Sequence, residues 1–208
     1  MGNLLTLTRD LVAEVAALPL DDQIIALNEI RKALHMVSPF AGEPVDCVLW
    51  LPQQHVEAND YNPNTVAPPE MKLLEHSIRE DGYTQPIVVW QDEIRVEVID
   101  GFHRHRIGRE IKDIEWRIHG HLPVTIANSN RTDRSDRIAA TIRHNRARGR
   151  HRVDGMSEIV VELARRNWSD AKIARELGME PDEVLRLKQI SGLAEMFADR
   201  EFSEAWEA

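Results

Sequence analysis

A single cysteine, Cys47, occurs in 208 residues. One thiol excludes an intramolecular disulfide framework and any cysteine-cluster zinc site. It agrees with a reducing compartment, so the expected location is cytoplasmic. No apolar run approaches the roughly 20 residues that a membrane-spanning helix needs, and no membrane partner is expected. The opening MGNLLTLTRDLVAEVA lacks a basic stretch and a clean apolar stretch, so no export signal is expected. Internal repeats and low-complexity tracts are missing too. Basic residues are in deficit, 26 Lys and Arg against 35 Asp and Glu, for a net charge of -9. As a total, that deficit argues against a nucleic-acid partner. What is present is an ordinary globular composition, 42% hydrophobic and 29% charged. It allows one or two domains with their own cores and excludes wholesale disorder or a collagen-like chain.

The position of the charge changes its meaning. Residues 131–152 hold 8 basic and 2 acidic side chains, while residues 36–130 hold 8 and 15 and residues 153–208 hold 7 and 13. All eight cations of the short segment are arginine: Arg131, Arg134, Arg137, Arg143, Arg146, Arg148, Arg150 and Arg152. The planar guanidinium fork matches phosphate oxygens bidentately, so this segment reads as a contact for a nucleotide or a nucleic-acid backbone. The bland alternative is a solvated helix face paired with acidic neighbours.

Hydrophobic spacing organises the remainder. Leu4, Leu7, Leu11, Val15 and Leu18 form an apolar stripe, and Ile24, Leu27, Ile30, Arg31 and Leu34 continue an amphipathic pattern beyond Pro19. Residues 3–36 therefore read as a helical hairpin or a bent helix. That pair could serve as a dimer or partner surface, or pack on its own domain. A linker at 37–46 precedes a strand expected over Val45–Leu51 and an Asn- and Pro-rich loop. A helix follows over Glu70–Glu80, closed by Gly82. Pro86–Trp90 and Arg95–Ile99 read as a hairpin, FHRHRIGREI as a helix, and Leu122–Ala127 as a short strand. From about 132 the chain reads as helical. The expected organisation is an N-terminal helical extension (1–38), a small mixed-sheet domain (45–128), an arginine-rich connecting helix (129–152) and a helical C-terminal domain (153–208).

Three motifs can carry chemistry. In Asp100-Gly101-Phe102-His103-Arg104-His105-Arg106 a strand meets a helix at a glycine, which leaves free N–H groups at a positive helix end. Gly101 permits close backbone approach, and His103, Arg104 and Arg106 add charge or hydrogen bonds to the same anion. Metal binding by His103 and His105 is disfavoured, because an i, i+2 pair does not share a helix face. Gly82-Tyr83-Thr84-Gln85-Pro86-Ile87 places Thr84 and Gln85 beside a strand end. Arg143-His144-Asn145-Arg146-Ala147-Arg148 lies inside the arginine segment.

The order of these motifs resembles the ParB/sulfiredoxin-like family, most closely the N-terminal half of the ParB chromosome-segregation proteins. Ser77-Ile78-Arg79-Glu80-Asp81-Gly82-Tyr83-Thr84-Gln85-Pro86-Ile87 is similar to the family's SIRE-x-G-x-x-QPI. Gly101-Phe102-His103-Arg104-His105-Arg106 corresponds to its G-E-R-R-x-R box, Asn62-Pro63 to its entry loop, and His144-Asn145-Arg146-Ala147-Arg148 to its E-N-x-Q-R box. The resemblance spans roughly residues 46–195. It implies an α+β ParB/sulfiredoxin-like domain that binds a nucleoside triphosphate, CTP foremost, with Mg2+. The nucleotide residues it implies are Thr84, Gln85, Gly101, Phe102, His103, Arg104, Arg106, Asn145 and Arg148, with Asn145 also open as a metal ligand. Phe102 and His144 stand where the family has Glu, His103 where it has Arg, and Ala147 where it has Gln. These departures leave nucleotide choice and hydrolysis open. The D-G-F-H-R form is similar to prophage-associated ParB-like co-activators of gene expression and to the D-G-H-x-R site of free-serine kinases. Sulfiredoxin chemistry through a cysteine is excluded at Phe102.

Residues 168–190 read as a helix-turn-helix. Ser169 or Asp170 caps a helix, Ala174 and Gly178 allow a tight crossing, and Val184 and Leu187 anchor a second helix beginning near Pro181. Arg186, Lys188 and Gln189 are its candidate DNA contacts, beside Arg143, Arg146, Arg150 and Arg152 of the arginine segment. Asp182 and Glu183 at its start would repel phosphate. Leu193, Met196, Phe197, Phe202 and Trp206 mark an amphipathic acidic tail. ParB proteins continue into a dimerisation domain that is not expected in a chain reaching Ala208.

The leading expectation is a DNA-binding regulator responsive to a nucleoside phosphate. Two alternatives stand beside it. One is a nucleotide hydrolase or small-molecule kinase of the same fold, whose nearest bases by sequence are Asp100 and Glu70. The other is a protein-interaction module. A protein partner and a homodimer both remain open.

Overall fold

The computed structural model of the chain describes residues 2–61, 68–128, 133–146 and 153–197, with backbone alone for 144–146, 153–154 and 191–197. Contacts separate it into two compact units, residues 1–59 with 67–130 and residues 60–66 with 131–208.

The first unit opens with α1 (Gly2–Ala16) and α2 (Leu20–Met36). Pro19 precedes α2 at φ -54, and Asp21 and Asp22 occupy its first turn, where a carboxylate complements the helix dipole. The N-terminal stripe, for which the sequence leaves packing on its own domain and a partner surface both open, is largely exposed. Leu4, Leu7, Leu11 and Leu18 are 41% to 65% exposed, and Val15 alone is buried on α1. On α2 the buried residue is the polar Asn28.

Five strands follow, interleaved with helices: β1 (Leu49–Pro52), β2 (Val56–Glu57), α3 (Pro68–Asp81), β3 (Ile87–Gln91), β4 (Val96–Asp100), α4 (Phe102–Glu110), α5 (Lys112–Arg117) and β5 (His121–Ile126). They form one mixed sheet in the order β1-β5-β3-β4-β2. β1 pairs antiparallel with β5, β5 parallel with β3, β3 antiparallel with β4, and β4 parallel with β2. The registers place Leu49 and Ile87 on either side of Val124 and Val89 opposite Val98. These five residues form a core with Leu122, Ile78 of α3, Ile107 of α4 and Ile114 of α5. The β3–β4 turn is held by Asp92, whose Oδ1 accepts from Ile94 N (2.7 Å) and Arg95 N (2.6 Å).

Three boundaries differ from the sequence reading. Residues Pro44–Asp46 form a 3-10 turn, and the strand starts at Leu49, where β5 offers a partner. β2 is two residues long, too short for any alternation to register. Ile111, extended at φ -93 and ψ 106, closes α4 and opens α5, which periodicity alone does not separate.

The second unit is helical: α6 (Arg134–Arg146), α7 (Val153–Arg165), α8 (Asp170–Leu177) and α9 (Pro181–Phe197). Its core gathers Ile138 and Ile142 of α6, Leu163 of α7, Ile173 and Leu177 of α8, and Val184 of α9. Ser169 caps α8 by accepting from Lys172 N at 3.2 Å, Gly178 turns the chain at φ 64, and α9 begins at Pro181. The helix-turn-helix therefore stands as expected. The fold is α+β, with N-terminal helices, a mixed-sheet domain and an all-helical unit.

Candidate functional site

The sheet delivers the first site through β4. Asp100 ends that strand, Gly101 adopts a left-handed conformation (φ 91, ψ 25), and α4 starts at Phe102 with no side chain capping its first amides. Uncapped amides at a helix start are anion-seeking groups. Arg104, one turn in, folds back over this start. A Cβ placed on Gly101 would lie 2.9 Å from Nη2 and 3.0 Å from Nε of Arg104. Only glycine combines that backbone with that close approach. The guanidinium is fixed from two sides: Nη2 donates to Asp100 Oδ2 at 3.1 Å and Nη1 to Gln85 Oε1 at 2.9 Å. Asp100 is buried and Arg104 nearly so, with side chains 5% and 12% exposed.

The structure thus brings Gln85, Gly101 and Arg104 together, with exposed Thr84 next to Gln85 in the chain and Phe102 and His103 on the first turn of α4. The Phe102 and His103 rings meet edge to face at 5.6 Å. Burial, reinforced by Arg106, pushes the His103 imidazole below its ordinary pKa. Arg106 points elsewhere: its Nε donates to Glu110 at 2.9 Å on an exposed face. His105 is buried, and its Nε2 donates to the Val56 carbonyl at 2.9 Å. It ties α4 to β2. Among the described residues no group of three His, Cys, Asp or Glu side chains converges as a metal site. Asp100 serves the guanidinium, and Glu70 sits exposed in the first turn of α3.

Tyr83 belongs to the site although sequence reading left it out. Its hydroxyl donates to the Arg104 carbonyl at 2.8 Å, and burial pushes its phenol pKa up to about 12. The signal in the sequence was Gly108. A Cβ there would sit 2.5 Å from both the Tyr83 hydroxyl and Leu122 Cδ2.

The candidate nucleic-acid face lies in the second unit. Exposed Arg186 hydrogen-bonds the Asp182 carbonyl of its own helix at 3.2 Å, Lys188 pairs with Asp170 at 2.6 Å, and Gln189 is exposed. Arg143 pairs with Glu176 of α8 at 2.6 Å. Arg134 pairs with Asp60 at 3.0 Å and Glu162 at 3.1 Å, and lies over the Tyr61 ring. Of the other candidates, Asn145 and Arg146 are described by backbone only, and Arg148, Arg150, Arg152, Asn62 and Pro63 lie outside the described residues, as do Phe202 and Trp206 of the tail. Among the described residues no helix is long and apolar enough to cross a membrane.

A glycine-started helix on a mixed sheet, followed by a helix-turn-helix unit, defines the class. Residues 42–142 match the ParB N-terminal domain, and residues 151–199 match the IbrB-like C-terminal HTH domain. The chain belongs to the ParB-like proteins built from these two domains. It is similar to the uncharacterized protein YbdM of Escherichia coli (strain K12), with 59% identity over 201 residues, 96% of this chain and 95% of that one. Among solved structures it is similar to the Pnob8-like ParB-N domain (13% identity, TM-score 0.48, 74% of this chain and 73% of that one). It is also similar to the C-terminally truncated chromosome-partitioning protein ParB of Caulobacter crescentus complexed with CTP-γ-S (18% identity, TM-score 0.40, 72% and 83%).

Proposed function

We propose that the chain is a cytoplasmic ParB-like regulator of gene expression that binds DNA through its helix-turn-helix and a nucleoside triphosphate, CTP foremost, at the start of α4. The observation that carries the nucleotide reading is the Arg104 guanidinium resting on Gly101 beside uncapped helix amides. Those groups fit a phosphate: amide N–H groups that donate to its oxygens, a glycine that lets it approach, and a guanidinium with Gln85 alongside. Arg104 is already paired with Asp100, so an incoming phosphate competes with that carboxylate for it. The nucleotide then exchanges one partner of Arg104 for another, which is the differential contact a two-state switch requires. The described residues present no ready set of metal ligands, so no step is assigned to Mg2+.

DNA binding rests on the helix-turn-helix with Arg186 and Gln189 exposed on α9. Asp182 and Glu183 in the first turn of α9 weaken any purely electrostatic grip, so sequence-independent binding is expected to be slight.

Calorimetric titration of CTP, ATP, ADP and GTP with Mg2+ on the wild type and on Arg104→Ala tests the first half. Saturable binding that weakens by about tenfold or more in the variant is expected. No binding of any nucleotide to the wild type overturns it. DNA retention that falls steeply with added salt, and falls again in Arg186→Ala, is expected for the second half. Retention of no DNA at low salt removes it.

A further inference from the structure

The first unit contains a second cleft that shares none of Gln85, Gly101 or Arg104. It lies between α2 and the turn from α5 to β5, with a volume of about 420 Å³. That size is in the range of small-molecule sites. Its apolar part is made by Ile24 and Leu27 of α2, Trp50 of β1 and Ile118. Arg31, Arg117, His119 and His121 also line the cleft, with the Tyr83 phenol and the Gln23 amide, and among the described residues no Asp or Glu does.

On a chain of net charge -9 a lining with two guanidinium groups and, among the described residues, no carboxylate favours a negatively charged ligand. The adjoining hollow is lined differently. It shares Ile24, Trp50, His119 and His121 with the cleft, but its charged side chains are Asp21, Glu29 and Lys32, and it has neither arginine. A charged ligand therefore has one end to turn toward Arg31 and Arg117, while its body lies on the apolar side chains. Arg31 is steadied for this role, since Nη1 donates to Asn28 Oδ1 at 3.2 Å. Arg117 is held by the carbonyls that end α3, donating to Ile78 at 2.5 Å and Arg79 at 2.7 Å. His119 keeps a left-handed backbone (φ 52) in the turn that forms the cleft's edge, a conformation uncommon outside glycine.

We infer that this cleft binds a small organic acid, a carboxylate on an aromatic or branched apolar body, at a place apart from Gly101 and Arg104, with Tyr83 bordering both. The test uses the full chain and two probes of the same shape, 2-naphthoate and the uncharged 2-naphthylmethanol, followed by calorimetry. Saturable binding of one naphthoate per chain is expected, with the alcohol about tenfold or more weaker, and naphthoate about tenfold weaker on a folded Arg31→Gln variant. Three results overturn the inference: no saturable binding of naphthoate, equal binding of acid and alcohol, or naphthoate binding unchanged in Arg31→Gln. Equal binding would mark adhesion to the exposed leucines of α1. The acid and alcohol pair decides on the wild type alone if the variant does not fold.

Discussion

Asn28 of α2 gives both ends of its side-chain amide to one backbone position on β1. Nδ2 donates to the Trp50 carbonyl at 2.7 Å, and Oδ1 accepts from the Trp50 N–H at 3.0 Å. β1 is an edge strand, and an edge leaves unpaired backbone groups facing outward. The amide of Asn28 supplies what a neighbouring strand would supply, so α2 closes the sheet edge through a polar side chain while its leucines stay exposed.

Replacing Asn28 by alanine removes both bonds at once. The expected loss is about 1–3 kcal/mol, because Trp50 keeps a donor and an acceptor with no protein partner. Hydrogen exchange locates the effect. Amides of α2 and β1 should lose protection while those of α7 and α8 in the other unit keep theirs. Uniform loss across both units would mean that Asn28 does not act locally.

Gly101→Ala combines two costs. Alanine at φ 91 is strained, and its Cβ would press on the Arg104 guanidinium. A destabilisation of about 1–3 kcal/mol is expected, with displacement of Arg104 and loss of nucleotide binding. Denaturant unfolding and a CTP titration on the same sample check both. Unchanged nucleotide affinity in a variant that shows the expected destabilisation would separate Arg104 from the ligand.

Arg143 distinguishes a structural arginine from one that reads phosphate. Its partner Glu176 is 10% exposed, and beyond Arg143 it has Arg175 at 3.5 Å. Arg143→Ala removes the shorter of these two ion pairs from a nearly buried carboxylate. About 2 kcal/mol of stability should go from the helical unit, below the figure for a fully buried pair because Arg143 is 40% exposed. Glu176→Gln in the same background should restore part of it. A residue that served DNA alone would show neither effect.

The legible parts of the fold were those that repeat or punctuate. The β3–β4 hairpin, the α8–α9 turn and the strand-glycine-helix junction at Gly101 each follow from local spacing and one special residue. What stayed hidden depends on residues far apart in sequence. The α1 stripe has helical spacing but meets little of the sheet, and periodicity reports an apolar face without its partner. The arginine count of α6 pointed to phosphate, but Arg134 and Arg143 are balanced by Glu162 and Glu176 from other helices. Likewise the DGFHRHR motif lists four basic side chains, and the backbone sorts them. Arg104 turns onto Gly101, Arg106 turns to Glu110, and His105 goes into the core.

His105 gives the fold a dependence on pH. Burial holds its imidazole below the ordinary value of 6.5, against a smaller opposing pull from its bond to the Val56 carbonyl. The unfolded chain therefore binds a proton more readily than the folded one. Its contribution is complete above pH 6.5 and is lost as pH falls below that value toward the folded pKa. His103, also depressed by burial, acts in the same direction. The urea midpoint of the first unit should accordingly fall between about pH 7 and about pH 5.5, above the range where ordinary carboxylates titrate. His105→Gln retains an N–H donor for Val56 but no titrating group, so its midpoint should vary less over the same interval. If the wild type and His105→Gln decline in parallel, the buried imidazole is not the source of the slope.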